Sequence, residues 1–238
     1  MPDGKPSPRQ TVILAAGNGY RLGALGQDLP KPLLRVGGRP LIEHALGQAA
    51  AAGCEEAIVV LGHAADQIEG QLARIATPLR IQVVLNPEYH LPNGMSLLAA
   101  EPFAEERFFL QMADHVFNEP VLHRLTDPSL DGAARLLVDH SPRDLDEADA
   151  TKVRIREGRV TAIGKEVLPF DAVDAGCFLL DRRVFGALRA VQGEAASVSA
   201  GMEQLASARA LAPIPLEGVI WVDVDTPSDW ERAEALLK

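Results

Sequence analysis

The sequence is poor in cysteine and in aromatic residues, and it contains more acids than bases. Cys54 and Cys177 are the two cysteines among 238 residues, and neither has a partner at zinc-ligand spacing. This excludes a disulfide scaffold and predicts reduced, packed thiols in a cytoplasmic protein. No apolar run reaches the roughly 18 residues that a membrane helix needs, so we expect no membrane insertion. The formal charge of −10 argues against nucleic acid as a partner, because phosphate neutralisation requires basic residues.

Lysine is also scarce, since most of the 23 basic residues are arginines. Three lysines lie away from the chain ends, at Lys31, Lys152 and Lys165. A lysine ammonium is a compact, rotatable charge that suits a moving phosphoryl group, whereas arginine presents a fixed fork. We therefore predict that all three bind phosphate. Chance placement on solvated strands is the alternative for Lys152 and Lys165.

A short apolar strand runs directly into a glycine-containing loop near the start of the chain. Residues 11–15 are apolar and β-branched, as in a strand buried on both faces. Gly17 and Gly19 follow, and without a Cβ they allow backbone N–H groups to approach phosphate oxygens. Arg21 adds a guanidinium fork, and the prolines on either side of Lys31 restrict its backbone. The pattern predicts a triphosphate site, with a tight turn and a solvated loop lysine as the alternative.

The pattern of apolar residues predicts an α/β fold. Strands and helices alternate, with strands at 11–15, 56–62 and 80–86 and helices at 40–53 and 64–75. This order predicts a parallel sheet with ligands at one edge, and residues 153–163 favour a later antiparallel hairpin. We therefore expect a three-layer α/β/α, Rossmann-like fold with a mixed, mostly parallel central sheet. A flexible tail is expected over residues 1–10 and a single domain over residues 11–238.

Two aspartates end apolar strands and are candidate metal ligands. Asp114 is the first acid after the apolar run at 107–112, and Asp225 follows a predicted strand at 219–224. Mg²⁺ prefers oxygen ligands and usually needs one or two carboxylates besides the substrate phosphates. Asp223 lies two residues before Asp225, so strand alternation places it on the same face as a further candidate ligand or sugar contact. The alternatives are a salt bridge for Asp114 and a helix cap for Asp225.

Asp225 also precedes a predicted helix start. Thr226 has the pattern of an N-cap, Pro227 that of the first helical residue and Asp229 that of the acid in a capping box. His115, next to Asp114, is a candidate substrate contact. The more common roles for such a histidine are a hydrogen-bond donor behind a ligand and a satisfied core residue.

Taken together, several segments resemble the sugar-phosphate nucleotidylyltransferases. These segments are LAAGNGYRLG at 14–23, PKPLL at 30–34, VGGRPLI at 36–42, NPEYHLPNGMSLLAA at 86–100, FFLQMADHVF at 108–117, ATKVRIREGRVTAIGK at 150–165, VDAGCFLLD at 173–181 and WVDVDTPSDW at 221–230. Their order and spacing are similar to the inositol-1-phosphate cytidylyltransferase branch, and the resemblance extends from residue 11 to the C-terminus. It implies the nucleotidyltransferase version of the expected fold.

The resemblance implies a reaction in which the cytidylyl group of CTP passes to inositol 1-phosphate, giving CDP-inositol and pyrophosphate with Mg²⁺ as cofactor. It implies catalytic roles for Arg21, Lys31, Asp114 and Asp225. It implies nucleotide binding by Leu14, Ala15, Ala16, Gly17, Asn18, Gly19, Asn93, Gly94 and Ser96. The acceptor side would be formed by Lys152, Lys165, Asp174 and Gly176. A simple turn and helix start at 93–96 and a buried strand at 175–180 are the structural alternatives.

The sequence departs from the family pattern at Tyr20, Ala113 and Ala200, where a small residue, a glycine and an acid are usual. Family members are often fused to a membrane synthase that uses CDP-inositol, so we expect this product to pass to a separate membrane protein. A homodimer is a candidate assembly. The rival functions are transfer to another acceptor, such as phosphocholine or a hexose 1-phosphate, a nucleotide-sugar glycosyltransferase that uses residues 223–225 as a metal motif, and a non-catalytic nucleotide sensor.

Overall fold

The first half of the chain alternates strands and helices, as its apolar pattern predicts. The structure is a computed structural model that describes residues 7–26, 29–126, 133–142, 146–191 and 196–238. Its elements in this half are β1 (Gln10–Leu14), β2 (Arg35–Val36), β3 (Arg39–Pro40), α1 (Leu41–Ala51), β4 (Glu56–Leu61), α2 (Ala65–Leu72), β5 (Arg80–Leu85), α3 (Gly94–Ala100), β6 (Arg107–Met112) and β7 (His115–Phe117). Short 3₁₀ turns at Tyr20–Gly26 and Lys31–Leu33 follow β1.

The second half is mixed. It contains β8 (Ala134–Asp139), β9 (Lys152–Arg156), β10 (Arg159–Gly164), β11 (Ala172–Asp181), α4 (Arg183–Ala190), α5 (Val198–Ser207), β12 (Leu211–Pro215), β13 (Trp221–Asp223) and α6 (Pro227–Leu236). The predicted hairpin is β9 and β10, which pair antiparallel through Glu157 and Gly158. The predicted strand at 219–224 is shorter than expected. No helix in the described part of the chain combines the length and apolar character that crossing a bilayer demands.

A nine-stranded sheet forms the centre of the fold. Seven strands follow the order β10-β9-β11-β6-β1-β4-β5, and β8 pairs with β11 and β12. The strands β6, β1, β4 and β5 are parallel to one another, whereas β11 is antiparallel to β6, β8 and β9. The first half therefore supplies a parallel region, and the second half extends it through the antiparallel strand β11 and adds β12 parallel to β8, so the sheet is mixed.

Both faces of the sheet are covered by helices. Alternate residues of β1 belong to different cores, with Val12 in one and Ile13 in the other, and both are fully buried. The α4 and α5 residues Phe185 and Met202 pack on the first face, and α1 contributes Leu46 to the second. Full burial of each such side chain stabilises the fold by about 1.5–3 kcal/mol. The arrangement is the three-layer α/β/α fold that the sequence predicts.

The N-terminal boundary of the sheet lies one residue before the predicted strand. Gln10 begins β1, and its side chain donates a hydrogen bond to Glu56 Oε2 at 2.8 Å. The backbone carbonyl of Arg9 also accepts from Glu55 at 2.7 Å. Residues 1–6 of the predicted tail lie outside the described residues.

A two-stranded ribbon lies beside the carboxyl end of β6. In it β7 pairs antiparallel with β13, so that His115 lies opposite Asp223. The turn after this ribbon is fixed by the predicted capping box, in which Thr226 and Asp229 bond each other's backbone. Such a cap stabilises a helix start by about 0.5–2 kcal/mol. Asp225 is therefore held between two rigid elements, close to the end of β6.

Candidate active site

The loop after β1, the end of β6 and the start of α6 enclose a cavity of about 200 Å³. Most of its wall consists of residues predicted for the nucleotide and metal sites. The lining residues are Leu14, Ala15, Gly17, Asn18, Gly19, Tyr20, Arg21, Lys31, Pro32, Ala113, Asp114 and Asp225. Tyr20, one of the departures from the family pattern, is 80% exposed at this wall. The glycine loop, both predicted cations of the nucleotide side and both predicted metal acids thus come together.

Lys31 lies between the two aspartates. Its Nζ donates to Asp114 Oδ2 and to Asp225 Oδ1, each at 2.6 Å, although the residue is only 9% exposed. Burial opposes its charge, but the surrounding carboxylates outweigh burial and raise the pKa of Lys31. The ammonium is therefore a fixed positive charge at the floor of the cavity.

The glycine loop lies directly against Lys31. Gly19 has φ +61°, and a Cβ built on it would lie 2.6 Å from the Cβ of Lys31. An L side chain at this position would meet both backbone strain and a clash with a buried chain. Gly19 thus provides the close approach between loop and lysine that the site requires.

The acids beside Lys31 have unequal titration properties. Burial opposes the charge of Asp114, but Lys31 and His115 lower its pKa well below the ordinary value. Burial and the Asp114 carboxylate raise the pKa of Asp223 to about 7. Burial disfavours the charged imidazole of His115, but Asp223 and Asp114 raise its pKa to about 9. A negative and a protonatable carboxyl group therefore lie side by side.

A chain of ion pairs continues from the cavity toward β10. Arg21 donates to Asp225 Oδ2 at 2.7 Å and also to Asp149, and Lys165 donates to the other oxygen of Asp149. Hydrogen bonds from Lys165 and Arg21, against a smaller effect of burial, lower the pKa of Asp149. One carboxylate thus connects a cation of the glycine loop with a cation predicted for the acceptor. Lys165 joins the site through Asp149 rather than through the cavity wall.

The other predicted acceptor residues make contacts within the protein. Lys152 is buried, and its Nζ donates to the carbonyl of Lys165 at 2.6 Å. Asp174 Oδ1 accepts from the Gly176 amide at 2.7 Å, and burial raises the pKa of Asp174 to about 6. Gly176 lies against the imidazole of His115. Their roles toward an acceptor stay predictions.

The three residues predicted to contact the base lie at the start of α3 and do not line the cavity. Asn93 Oδ1 accepts from the Val198 amide at 2.9 Å, and Ser96 Oγ accepts from Asn86 Nδ2 at 3.0 Å. A Cβ on Gly94 would lie 2.2 Å from the Ala196 carbonyl. These residues therefore pack α3 against its neighbours, as a simple turn and helix start would, and base recognition by them stays a prediction.

Comparison with known proteins identifies the family. The model of the MobA-like NTP transferase domain matches residues 11–195. The chain belongs to this NTP transferase family. The predicted resemblance to nucleotidylyltransferases is thereby confirmed.

Curated relatives and solved structures agree with this assignment. The chain is 37% identical over 243 residues to a bifunctional IPC transferase and DIPP synthase of Rubrobacter xylanophilus, covering 100% of this chain and 54% of the relative. It is 35% identical to the protein of the same name from Archaeoglobus fulgidus, covering 96% of this chain and 44% of the relative. The chain thus spans about half the length of these relatives.

A solved structure, the inositol-1-phosphate CTP transferase from T. maritima, superposes with a TM-score of 0.87 at 23% identity. The superposition covers 98% of this chain and 97% of the other. At this identity the likeness shows the fold, and the predicted Rossmann-like nucleotidyltransferase fold is confirmed.

In this NTP transferase the residues fit a divalent cation. Ligand atoms of Asp114, His115 and Asp223 all lie within 4.8 Å of one another. Asp223 Oδ1 is buried and has no hydrogen-bond partner, which is costly unless a cation or another donor reaches it. Asp225, by contrast, has its two oxygens engaged by Lys31 and Arg21. Asp223 and Asp114 are therefore neighbouring candidate ligands for the cation. The predicted ligand pair, Asp114 and Asp225, instead shares Lys31 as a hydrogen-bond donor.

Sequence reasoning missed Asp149 and the surroundings of His115. Asp149 directly precedes the segment at 150–165 that carries the resemblance, so its position was the available signal. Trp221 stacks on His115 with ring centroids 5.4 Å apart, a contact that depends on the antiparallel pairing of β13 with β7.

Proposed function

We propose that this NTP transferase transfers the cytidylyl group of CTP to inositol 1-phosphate and releases pyrophosphate. The observation that carries the proposal is the buried Lys31 ammonium, 2.6 Å from both Asp114 and Asp225 at the foot of a glycine loop. A cation fixed beside two carboxylates suits a triphosphate and a divalent ion better than it suits an already activated donor. The choice of cytidylyl group and acceptor is supported by the names of the relatives and of the solved structure.

The cationic residues of the site would bind the phosphates of the two substrates. Backbone N–H groups of the loop at 17–19, with Arg21 and Lys31, would hold the triphosphate and neutralise charge that develops on the departing pyrophosphate. Lys165 would hold the acceptor phosphate. Lys152 would orient Lys165 by donating a hydrogen bond to the backbone carbonyl of Lys165. An oxygen of the acceptor phosphate attacks the α-phosphorus, and the bond from that phosphorus to the oxygen of the pyrophosphate breaks. The acceptor oxygen is already ionised, so no general base is needed.

Mg²⁺ is the proposed cofactor, with Asp114 and Asp223 as ligands and Asp225 as a further carboxylate beside them. When bound, it would supply positive charge to the phosphate oxygens. The buried Oδ1 of Asp223 supports this assignment, because it has no hydrogen-bond partner although Lys31 Nζ lies 4.0 Å away. His115 keeps one oxygen of Asp114 hydrogen-bonded at 2.8 Å.

The carboxylate of Asp149 lies between two cations of the proposed site. Arg21 and Lys165 carry like charges, and the carboxylate between them offsets their repulsion. We propose that substrate phosphates take over these two cations and displace Asp149. The residue would therefore set the affinity for phosphate and compete with it.

The two cysteines bear on the location of the protein. Both cysteines are free and buried, and burial raises the pKa of Cys54 to about 12, which suits reduced thiols in the cytoplasm. We propose that the product passes to a membrane synthase and that the protein works as a homodimer. Co-purification with membranes and sedimentation analysis would test these two points.

A hexose 1-phosphate is the second candidate acceptor. The chain is 29% identical to the UTP–glucose-1-phosphate uridylyltransferase AglF of Haloferax volcanii, covering 96% of each protein. The name of this relative contains glucose 1-phosphate, which favours a hexose 1-phosphate over phosphocholine as the second candidate.

One assay distinguishes these functions. Pyrophosphate release is measured for each of the four common nucleoside triphosphates with inositol 1-phosphate, phosphocholine or glucose 1-phosphate, with Lys31→Ala protein as the negative control. We expect release with CTP and inositol 1-phosphate. Release with glucose 1-phosphate alone would overturn the acceptor and leave the reaction class intact. Hydrolysis of a nucleotide sugar without any release would favour a glycosyltransferase, and CTP binding without turnover would favour a sensor.

A further inference from the structure

The imidazole of His115 is held on several sides. Its Nδ1 lies 2.8 Å from Asp114 Oδ1. The ring is stacked on Trp221 with an interplanar angle of 9°. Its other edge lies against Gly176, where a Cβ would be 2.5 Å from both Cδ2 and Nε2. The side chain is 10% exposed, so the ring has little freedom to turn.

Gly176 has a conformation that leaves room for this ring. It has φ +71° and lies where the pairing of β11 with β8 shifts register between Asp174 and Phe178. An alanine there would meet backbone strain and would push the imidazole away from Gly176. Gly176 therefore leaves the space that the imidazole of His115 occupies. This effect is independent of any contact of Gly176 with an acceptor.

Trp221 is itself fixed from the opposite side. Its Nε1 donates to Asp139 Oδ2 at 2.9 Å, and its ring also stacks near Phe117 at 6.3 Å. Asp139 ends β8, so the indole is tied to the central sheet. The contacts form a continuous series from Asp139 through Trp221 and His115 to the carboxylate of Asp114.

His115 is poorly placed to be a metal ligand, although its ring belongs to the acidic group. Nδ1 lies 2.8 Å from Asp114 Oδ1 and 3.9 Å from Asp223 Oδ1, and Nε2 lies against Gly176, so both ring nitrogens already face groups of the protein. Asp114 Oδ1 receives its contact from His115, and Oδ2 receives its contact from Lys31. The rotation of the carboxylate is thereby fixed by two donors on opposite oxygens.

We propose that His115 is a positioning residue, locked by Gly176 and Trp221, that orients Asp114 for a divalent cation. The inference deepens the proposed function and depends on its metal site. Groups that orient a metal ligand typically change metal affinity or activity about 10- to 100-fold when they are removed. Gly176 and Trp221 would then hold the imidazole of His115 in place. This role needs no contact of either residue with nucleotide or acceptor.

The test uses the full chain and measures Mn²⁺ binding by electron paramagnetic resonance, alongside the kcat and KM for CTP. We expect His115→Ala to weaken Mn²⁺ binding about 10- to 100-fold and to lower kcat more than it changes the KM for CTP. His115→Asn retains an N–H donor near the position of Nδ1, so we expect it to recover most of the Mn²⁺ affinity. Gly176→Ala is expected to behave like His115→Ala.

Two further variants separate positioning from folding. Gly201→Ala, whose Cβ would lie 2.7 Å from Leu188 Cδ2 between α5 and α4, creates a similar clash away from the site. We expect it to lower the Tm without changing the Mn²⁺ affinity of the folded protein. Trp221→Phe retains an aromatic ring and is expected to bind Mn²⁺ more tightly than Trp221→Ala.

The outcomes are distinct. Wild-type protein that releases pyrophosphate and binds Mn²⁺, with an equal Mn²⁺ affinity in His115→Ala, overturns the positioning role alone. An Asn variant as weak as the Ala variant would make the imidazole a ligand and also overturn it. Wild-type protein that binds no Mn²⁺ overturns both this inference and the proposed metal site.

Discussion

The two sides of the cavity are built differently. On the side of the glycine loop, Lys31 is 9% exposed and contacts two carboxylates that are themselves mostly covered. On the side of β10, the Lys165 side chain is 55% exposed, and its partner Asp149 is 35% exposed. Buried ion pairs are fixed and costly to break, whereas exposed pairs contribute about 0–1 kcal/mol. We therefore expect the proposed nucleotide side to be rigid and the proposed acceptor side to rearrange more easily.

We expect acceptor specificity to depend on the exposed contacts more than on the buried ones. A rigid site for the phosphates can bind any nucleoside triphosphate, because all of them carry the same triphosphate group. An acceptor site of exposed, exchangeable contacts can change its substrate through a few residues at little cost to the fold. Substitutions on the two sides should therefore differ in effect, and we expect the larger losses on the nucleotide side.

The largest effect is expected from loss of the buried cation. Lys31→Ala leaves Asp114 and Asp225 without their shared donor, so kcat should fall by at least about 100-fold and the Tm should decrease. Activity is measured by pyrophosphate release and stability by thermal unfolding. Lys31→Arg is the matched control, and it should recover part of the Tm but little of the rate, because the fork cannot replace a compact ammonium. A Lys31→Ala enzyme with wild-type kcat would contradict the proposed rigid site.

A smaller but still large effect is expected at Gly19. In Gly19→Ala the new methyl group lies 2.6 Å from Lys31 Cβ and the backbone has φ +61°, so strain of about 1–3 kcal/mol should appear together with a displaced ammonium. Urea unfolding and the KM for CTP would report the two consequences. Gly38→Ala shares a positive φ, at +77°, but has open space around it. If both variants lost the same CTP affinity, the contact between loop and lysine would not matter.

Buried groups on the proposed acceptor side, among them Lys152 and Asp174, depart from this contrast. Asp174 has a pKa raised by burial to about 6, whereas in the unfolded chain it titrates near 3.8. The native state then holds the extra proton between these values, so stability should fall as pH rises through this range and stay lower at neutral pH. The substitution Asp174→Asn retains an oxygen that can accept the hydrogen bond from the Gly176 amide, and it removes the negative charge of the carboxylate.

The Asp174→Asn protein should be more stable than the wild type at about pH 7, by roughly 1–3 kcal/mol, and equally stable near pH 4. Urea unfolding at the two pH values measures the difference. The same stability gap at both pH values would show that the carboxyl group is not the source.

Much of the fold and the centre of the site follow from local pattern. Buried strands and the capping box of Thr226 and Asp229 depend on nearby residues, and the order of elements predicts a parallel sheet. Asp114 and Asp225 are each recognisable as an acid that follows a predicted apolar strand, although β13 belongs to the two-stranded ribbon and not to the central sheet. Lys31 was conspicuous because lysine is scarce.

The parts that sequence reasoning missed depend on tertiary packing. Asp149 meets Arg21 across 128 positions, and no periodicity reports such a contact. The packing of His115 between Gly176 and Trp221 depends on a register shift in β11 and on the pairing of β7 with β13. The hydrogen bonds of Asn93 and Ser96 to Val198 and Asn86 are also tertiary contacts, and base recognition by these two residues stays a prediction.

The smallest change in stability is expected at Asp149, where the contrast between the two sides is sharpest. Its partners are Arg21 and Lys165, whose side chains are 40% and 55% exposed, so Asp149→Asn should cost no more than about 1 kcal/mol. If the carboxylate competes with phosphate for these cations, its neutralisation should lower the KM for the phosphorylated acceptor several-fold, while kcat changes little. Asp171→Asn provides a control, because Asp171 pairs with the exposed Arg156 on β9. An increase in the acceptor KM would mean that Asp149 orients the two cations for substrate, and the acceptor side would then be rigid like the proposed nucleotide side.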